Sequence, residues 1–354
     1  MPQLRAALSA IAWPVVCTIA GVIACLLAAC VARLPETQLA RRPADFDWQL
    51  PPGFAPPPVP ANNPISAVKV ELGRELFYDQ RLSFNGAISC ASCHAQPLGF
   101  TDGRSRAIGA TGEAHPRSSM PLANVAYNQA FTWINRQPHS LEEQMMQPLL
   151  NEHPIEMGLR SHEMTVIGRI AGDPRYRELF ARAFPADAIP VQLANIVRAI
   201  ASFERTLVSG RSAFDRYVFD DERAALNAAA RRGMEVFFSR RAACAECHSG
   251  FTFGGASASY ANTGVARDER QGFRVPSLRN IAVTAPYMHD GSLPTLAAVL
   301  DHYAAGGRFR GSFTDRRLRP LDLDAGERQD LVEFLRSLTD RGFLSDPRFA
   351  APQR

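Results

Sequence analysis

The sequence predicts a mainly α-helical protein made of two related halves, preceded by an export segment and a proline-rich stretch. Three observations support this fold class. Apolar residues recur at helical spacing, a segment of the first half recurs in the second, and the sequence shows no sustained strand alternation. Roughly 290 of the 354 residues follow the proline-rich stretch, a length that suits two domains.

The first thirty residues resemble a bacterial export signal. Arg5 precedes an uncharged, apolar run from Ala6 to Ala29, and Cys30 follows directly. Leu27-Ala28-Ala29-Cys30 is similar to a lipoprotein signal, in which Cys30 receives lipid and becomes the first residue. An uncleaved membrane anchor and a simple secretion signal remain alternatives, since about 20 apolar residues also span a bilayer. All three interpretations place the following domains outside the cytoplasm, and a lipidated Cys30 would tether them to a membrane in the periplasm.

Residues 31–64 are rich in proline and lack helical periodicity, which predicts a semi-extended tether. We expect a first domain over 65–210, a second over 211–345 and a short tail over 346–354. The net charge is only +4, and basic stretches interleaved with aromatic residues are not evident. We therefore exclude nucleic acid as a partner.

Two Cys-x-x-Cys-His motifs, at 90–94 and 244–248, carry the strongest chemical signal. In a c-type haem site the two cysteines form thioether bonds to the haem, and the adjacent histidine binds the iron. One such motif would also fit half of a zinc site or a redox dithiol, but two in equivalent positions favour two covalent haems. The other three of the seven cysteines lie in the first thirty residues, so no pair remains for a structural disulfide. The predicted haem-binding residues are Cys90, Cys93, His94, Cys244, Cys247 and His248.

An internal repeat precedes the two motifs. Gly73–Arg81 matches Gly233–Arg241 without a gap, with the Gly, Glu, Phe and final Arg coinciding. Both copies predict a helix that leads into its motif. The apolar face of the first helix comprises Val70, Leu72, Leu76 and Phe77.

Each half also closes with apolar residues at positions i, i+3, i+4 and i+7, which predicts a helix. We expect these helices to end near Gly210 and Gly342, and the second to begin with a capping box of Asp324 and Glu327. Helix, motif, loop and closing helix is the order of a small cytochrome c domain. The sequence therefore predicts two cytochrome c-like haem domains with long loops. The apolar residues are Leu193, Ile196, Val197 and Ile200, and Leu331, Phe334, Leu335 and Leu338.

From Lys69 to about Ser337 the sequence resembles the bacterial di-haem cytochrome c peroxidases and their MauG-like relatives. The resemblance implies two covalent c-type haems, the first reactive toward hydrogen peroxide and the second six-coordinate. Besides the two motifs, the segments that carry it are Leu72–Asp79, Phe100–Gly103, Leu122–Asn128, Glu156–Gly158 and Ala285–Gly291.

For the first haem, the resemblance implies an open iron position. Peroxidases of this family often carry a removable distal His shortly after the first motif, in an Ile-Gly-His context. The matching stretch is Ile108–Gly112, where Ala110 stands in place of the His and cannot bind iron. His115, on the same loop, remains an alternative ligand.

For the second haem, the candidate sixth ligands are Met288, His289, His302 and Tyr303. The family places a Met, or in MauG-like members a Tyr, fourteen residues after the His of a Tyr-x-His motif, and that position is Tyr303. An anionic phenolate lowers the iron potential, whereas a Met raises it. The resemblance thus implies Tyr303, with His302 as the alternative.

The resemblance also implies three catalytic residues. Trp133 matches a Trp that relays electrons between the haems, although core packing is the ordinary role of a lone Trp. Glu156 matches a carboxylate that moves a proton between the peroxide oxygens, with Glu152 as its competitor, and desolvation would raise its pKa. Gln144 matches an amide that hydrogen-bonds bound oxygen species.

A calcium ion between the haems is a further family feature, held by an Asn side chain and two backbone carbonyls. Thr284 and Pro286 match the carbonyl donors. Ser118 stands at the Asn position and is a weaker ligand, which leaves calcium open.

Three functions follow from these residues. The first is a MauG-like oxidase, in which peroxide generates high-valent iron that oxidises a residue of a partner protein, for example a Trp. Thr132–Asn135 and His115–Ser118 resemble the di-haem enzymes of methanobactin and related copper gene clusters. The second is a cytochrome c peroxidase that takes electrons from a small cytochrome c or cupredoxin, and the third is a non-enzymatic electron carrier. Ala110 argues against a carrier, and Ala110 together with Tyr303 argues against the second function.

Overall fold

The computed structural model describes residues 46–353, except 256–259 and 268. The predicted export signal, Cys30 and the first part of the tether lie outside the described residues. Among those described, no helix is both long and apolar enough to cross a membrane.

Helices dominate the described part of the chain, which confirms the mainly α prediction. Strands are confined there to a two-stranded antiparallel ribbon of β1 (Tyr260–Ala261) and β2 (Phe273–Arg274), with Tyr260 opposite Arg274. Short 3-10 turns at 80–82, 96–98, 125–127, 244–246, 281–283 and 343–345 join the longer elements. The α-helices described are α1 Ala67–Phe77, α2 Cys90–Cys93, α3 Leu141–Leu150, α4 Glu163–Ala171, α5 Pro174–Ala183, α6 Leu193–Arg205, α7 Ala213–Phe219, α8 Ala228–Phe238, α9 Leu296–Ala304 and α10 Ala325–Ser337.

The repeat predicted from the sequence is a repeated helix pair. α1 packs against α6 in the first half, and α8 packs against α10 in the second. Gly73 and Gly233 lie where the helices of each pair cross. A Cβ on Gly73 would lie 2.0 Å from the Ala199 carbonyl oxygen, and a Cβ on Gly233 would lie 1.9 Å from the Asp330 carbonyl oxygen. Glycine is therefore required at both positions for the helix backbones to approach so closely.

The apolar patterns that predicted these helices face the core. In α1, Leu72, Leu76 and Phe77 are fully buried, while Val70 lies at the edge of the core and is half-buried. The capping box of α10 is present as predicted, with Asp324 accepting from the Glu327 N–H at 2.8 Å. Burial of an amphipathic face, more than helix propensity, stabilises helices of this length.

Both closing helices end earlier than expected, at Arg205 and Ser337. Beyond α6, Asn124 holds the backbone of Ser209, accepting from its N–H at 2.9 Å and donating to its carbonyl at 2.8 Å. Asp340, just after α10, accepts from the Gly210 N–H at 3.0 Å. These side-chain bonds replace the next helical turn and bring the ends of the two closing helices together.

Two apolar clusters correspond to the two halves. One is built from residues between 72 and 207, and the other from residues between 214 and 338. Phe343 and Phe349 return to the first cluster, so the end of the chain packs on the first half. There the Tyr78 hydroxyl donates to the Phe349 carbonyl at 2.7 Å.

The described part of the proline-rich stretch, residues 46–64, contains neither helix nor strand but packs on the protein. Phe54 is buried, with its ring 4.9 Å from that of Phe251. Asn63 is also buried and donates to Glu142 at 2.7 Å. These contacts fix this part of the stretch against the domain, instead of leaving it as a free spacer.

Candidate active site

Both Cys-x-x-Cys-His motifs hold their histidine in the same way. Nδ1 of His94 donates to the Phe100 carbonyl at 2.9 Å, and Nδ1 of His248 donates to the Phe253 carbonyl at 3.1 Å. Phe100 and Phe253 both have positive φ (62° and 54°), and each follows its histidine within a short loop. Burial lowers the pKa of both histidines, so each is neutral and has Nε2 available to a metal. This is the arrangement that an axial iron ligand needs.

The four motif cysteines do not behave as reactive thiols. They form no disulfide among the described residues, and burial raises the pKa of Cys93 and of Cys244 to about 11. A redox dithiol needs a lowered thiol pKa. The described residues also contain no cluster of three or more His, Cys, Asp or Glu side chains for a zinc ion. These features fit cysteines that form thioether bonds to haem. Calcium at Thr284 and Pro286 stays a prediction.

The second motif opens into a large apolar cavity. Its empty space, including the part open to solvent, is about 1500 Å³. Leucine side chains of α9 and α10 form its walls, and Cys244, Cys247, His248 and Tyr303 all border it. A flat, mostly apolar macrocycle bound to the two cysteines fits this space.

Arg274, on the same cavity wall, supplies a second indication of the missing group. Its side chain is buried, burial lowers its pKa to about 10, and its Nε has no hydrogen-bond partner among the described residues. A buried, unpaired guanidinium is costly unless an anion accompanies it. A haem propionate supplies such an anion, so the residues present fit haem at this site.

The candidate sixth ligands at this cavity differ in their availability. His302 turns away, because its Nε2 donates to the Thr263 carbonyl at 2.8 Å. His289 stacks on Phe273 with the ring centroids 3.6 Å apart, and its Nε2 lies 2.5 Å from Glu269. Met288 borders the cavity as well and is not engaged in this way.

Tyr303 is the one of the four candidate ligands that offers an oxygen atom, and it also borders this cavity. Burial raises the pKa of its phenol well above the ordinary value, against a lowering effect of a hydrogen bond with Thr263. An anionic phenolate there requires a cation beside it, and ferric iron would be that cation.

The loop with Ala110 packs on the segment that carries Glu156. Gly109 permits the contact, because a Cβ there would lie 1.9 Å from the Ile155 carbonyl oxygen. The Ala110 N–H donates to the Glu156 carbonyl at 2.8 Å, and Ala110 itself is buried. The position where the family resemblance expects a distal His thus adjoins the candidate proton carrier.

Glu156 and His115 form a pair beside this loop. Burial raises the pKa of Glu156 to about 7 and lowers that of His115. Because Nδ1 of His115 accepts from the Arg117 N–H at 3.2 Å, its Nε2 carries the proton and lies 3.6 Å from Glu156 Oε1. The structure therefore directs His115 toward the carboxyl group.

The competing Glu152 lies on the surface. Its side chain is 60% exposed and faces Arg160 at 3.5 Å. Gln144 is half-buried on α3, which begins at the Ser140 cap. Burial gives Glu156 the raised pKa that suits acid–base work near pH 7.

Trp133 packs at the second candidate haem site. It borders the second cavity, and its ring centroid is 6.5 Å from that of His289. Its indole N–H donates to the Ser118 carbonyl at 2.9 Å. Ser118 in turn donates its hydroxyl to the Met288 carbonyl at 3.1 Å and its N–H to the His289 carbonyl at 3.0 Å. Ser118, the position of the family's calcium-binding Asn, thus links Trp133 to the second site by direct hydrogen bonds.

Two features have no counterpart among the predictions from sequence. Leu122–Ala126 repeats as Leu278–Ala282, and the Asn of each copy has φ of 61° and precedes a 3-10 turn. Aligning the two halves beyond the motifs would have found this repeat. Glu204, on α6, is buried, and burial raises its pKa to about 8. No sequence pattern marks Glu204 as unusual. The adjacent Arg205 suggests an ion-pair partner, but in the structure Arg205 bonds Glu142 instead.

Comparisons with known proteins agree with this geometry. Residues 67–223 match the family model described as di-haem cytochrome c peroxidase, and residues 272–309 match one described as RoxA-like, cytochrome c-like. The methylamine utilization protein MauG of Methylorubrum extorquens is 38% identical over 296 residues, which cover 79% of this chain and 81% of that protein.

Two further relatives support the same assignment. A cytochrome c551 peroxidase of Nitrosomonas europaea is 36% identical over 262 residues, covering 69% of this chain and 75% of its own. The crystal structure of a MauG-like protein associated with microbial copper homeostasis has a TM-score of 0.84 at 37% identity, covering 87% of this chain and 100% of that chain. The chain belongs to the di-haem cytochrome c peroxidase and MauG family, whose members carry c-type haems.

Proposed function

We propose that this oxidoreductase is MauG-like: it reduces hydrogen peroxide at the first haem and takes two electrons from a residue of a partner protein. The observation that carries the proposal is the place of Tyr303 in the wall of the second cavity, together with His248. An anionic oxygen ligand favours oxidised iron, as storage of oxidising equivalents requires. When bound, the two haems would supply the iron that reacts with peroxide and holds these equivalents.

Glu156 has the proton-transfer role in this proposal. With a pKa of about 7, both its carboxylate and its carboxylic acid form are populated at neutral pH. The carboxylate accepts a proton from one peroxide oxygen. The resulting carboxylic acid returns this proton to the other oxygen, which leaves as water. The Nε2–H of His115 faces Oε1 of Glu156 and stabilises its carboxylate form.

Trp133 has the electron-relay role. It borders the second cavity and is hydrogen-bonded to Ser118, which holds the 288–289 backbone. These bonds fix the indole in one orientation, which favours a relay between the two halves. A packing role alone would be satisfied without the indole hydrogen bond.

The alternative function is that of a cytochrome c peroxidase with a small electron-donor protein. The observation that favours it is the 36% identity to a protein named cytochrome c551 peroxidase. In either case we propose a periplasmic location, since c-type haem is attached outside the cytoplasm, with lipidated Cys30 as the tether.

One experiment separates the two functions. The haem-loaded chain is mixed with a single equivalent of hydrogen peroxide without any donor protein, and its electronic spectrum is followed. The proposal expects an oxidised state that persists and decays faster when a protein with accessible Trp or Tyr is added. Peroxide consumption only while a reduced cytochrome c is supplied would favour the alternative.

A further inference from the structure

Residues 308–319 form a basic stretch interleaved with aromatic residues, which corrects the expectation that the chain has none. This segment contains five arginines and one aspartate, with Phe309 and Phe313 between them. It lies between α9 and α10, the two helices that wall the second cavity. Its chemistry is therefore placed beside the second haem site.

The segment is held in place by backbone hydrogen bonds. The Phe309 N–H donates to the Gly264 carbonyl at 2.9 Å, and the Asp315 N–H donates to the Asn262 carbonyl at 2.9 Å. Gly264 has φ of +66°, and a Cβ on it would lie 2.2 Å from the Phe309 carbonyl oxygen. The segment is thus docked tightly on the chain next to β1 and presents a fixed arrangement of charge.

Most of this charge is not neutralised within the described residues. Asp315 pairs with Arg317 at 2.7 Å, but no described carboxylate lies within 4.0 Å of Arg308, Arg310 or Arg316. All three are exposed. We define the arginine surface by its six members, Arg270, Arg308, Arg310, Arg316, Arg317 and Arg319.

An exposed aromatic ring completes this surface. Phe313 is 55% exposed, and the Arg270 guanidinium lies 5.9 Å from its centroid. Interfaces are enriched in Arg and aromatic residues, which supply most of the binding energy. Arg also forms bidentate bonds with carboxylates, which Lys does not.

The arginine surface is continuous with the second cavity, because Arg317, Leu318 and Arg319 border that cavity. A protein bound here would lie against the mouth of the site that holds His248 and Tyr303. We propose that the arginine surface docks the acidic face of the protein that exchanges electrons with the second haem. The inference rests on the proposed function only for the direction of electron transfer, since both candidate functions need such a partner.

The test compares two double variants of the haem-loaded chain. R310E/R316E reverses two charges of the arginine surface, and R182E/R231E reverses two exposed charges elsewhere. Arg182 joins only the exposed Glu178, and Arg231 makes no side-chain ion pair among the described residues, so the control changes the same charge at little structural cost.

Association with fluorescent poly-L-glutamate is measured at low and at physiological salt. We expect R310E/R316E to slow association at least about tenfold at low salt, as the loss of an electrostatic steering surface does. The control variant should associate at nearly the wild-type rate. Equal rates for R310E/R316E and the wild type would overturn the inference. If R310E/R316E fails to retain both haems, R310Q/R316Q replaces it with the same expectation.

Two parallel measurements distinguish a protein partner from a membrane surface and test the proposed function separately. The first is binding to phosphatidylglycerol vesicles. If R310E/R316E abolishes vesicle binding but leaves poly-L-glutamate association unchanged, the arginine surface binds a membrane instead, and the inference is overturned. The reaction of each variant with hydrogen peroxide and ascorbate is followed as well. Absence of that reaction in the wild type, with the expected poly-L-glutamate pattern, would refute the proposed function and leave the arginine surface standing.

Discussion

Replacement of Glu156 by Gln tests the proton-transfer step. Glutamine keeps the size and the polar head of the side chain but cannot accept and return a proton, while the Ala110–Glu156 bond uses only backbone atoms. We expect both haems and their resting spectra to be retained. Reaction with peroxide should slow by about 10²–10⁴-fold, the range for loss of an acid–base group. That corresponds to about 3–5 kcal/mol in the activation free energy.

The pH profile makes the prediction more specific. The carboxylate of Glu156 must be present first, so the wild-type rate should rise with pH and level off above about 7, the pKa that burial imposes. The E156Q variant should show no such rise. Stopped-flow spectroscopy with excess peroxide, from pH 5 to 9, measures both properties.

Glu152→Gln is the matched control, because Glu152 is exposed and faces Arg160. It should leave both the rate and the pH profile unchanged. A wild-type rate in E156Q, or an equal loss in E152Q, would refute the assignment of the proton carrier.

Three further predictions concern the second site, a buried acid and a helix contact. Tyr303→Met should raise the midpoint potential of the second haem, because a thioether stabilises reduced iron; a wild-type potential in a redox titration would exclude Tyr303 as ligand. Glu204 has a higher pKa in the folded protein (about 8) than in the unfolded chain (4.5), so it binds its proton more tightly when folded. Its contribution to folding stability is therefore fully present below pH 4.5 and is lost as the pH rises to about 8. Glu204→Gln should remove that pH-dependent loss, on the order of a few kcal/mol, and parallel pH curves in denaturant unfolding would contradict this. Gly73→Ala should lower stability by about 1–3 kcal/mol, since its Cβ would meet the Ala199 carbonyl. Gly168→Ala, whose Cβ would meet nothing within 4 Å, should stabilise α4 slightly; equal effects of the two changes in thermal unfolding would refute the packing argument.

Local patterns were enough to predict four of the helices, namely α1, α6, α8 and α10. The helical spacing of apolar residues in α1 and the capping residues of α10 both involve positions close together in the chain, so they are visible in the sequence. The crossing of α1 and α6 at Gly73 follows from the repeat only in part. The sequence repeats the glycine, but the helix that approaches it is known only from the fold.

The surroundings of the site depend on long-range contacts that no local pattern encodes. The distance between His115 and Glu156 depends on two loops 41 positions apart meeting at Gly109. The buried state of Arg274 depends on β2 and on the cavity wall. Similarly, the early ends of α6 and α10 follow from side-chain bonds of Asn124 and Asp340 to distant backbone.

The resting spectrum of the haem-loaded, di-ferric protein tests the central claim most directly. The claim is that the first iron has an open position beside Ala110, while Tyr303 and His248 both bind the second. Electron paramagnetic resonance of the untreated protein should show one high-spin and one low-spin haem in equal amounts. Two low-spin haems would mean that His115 or another side chain closes the first site, and would contradict the account.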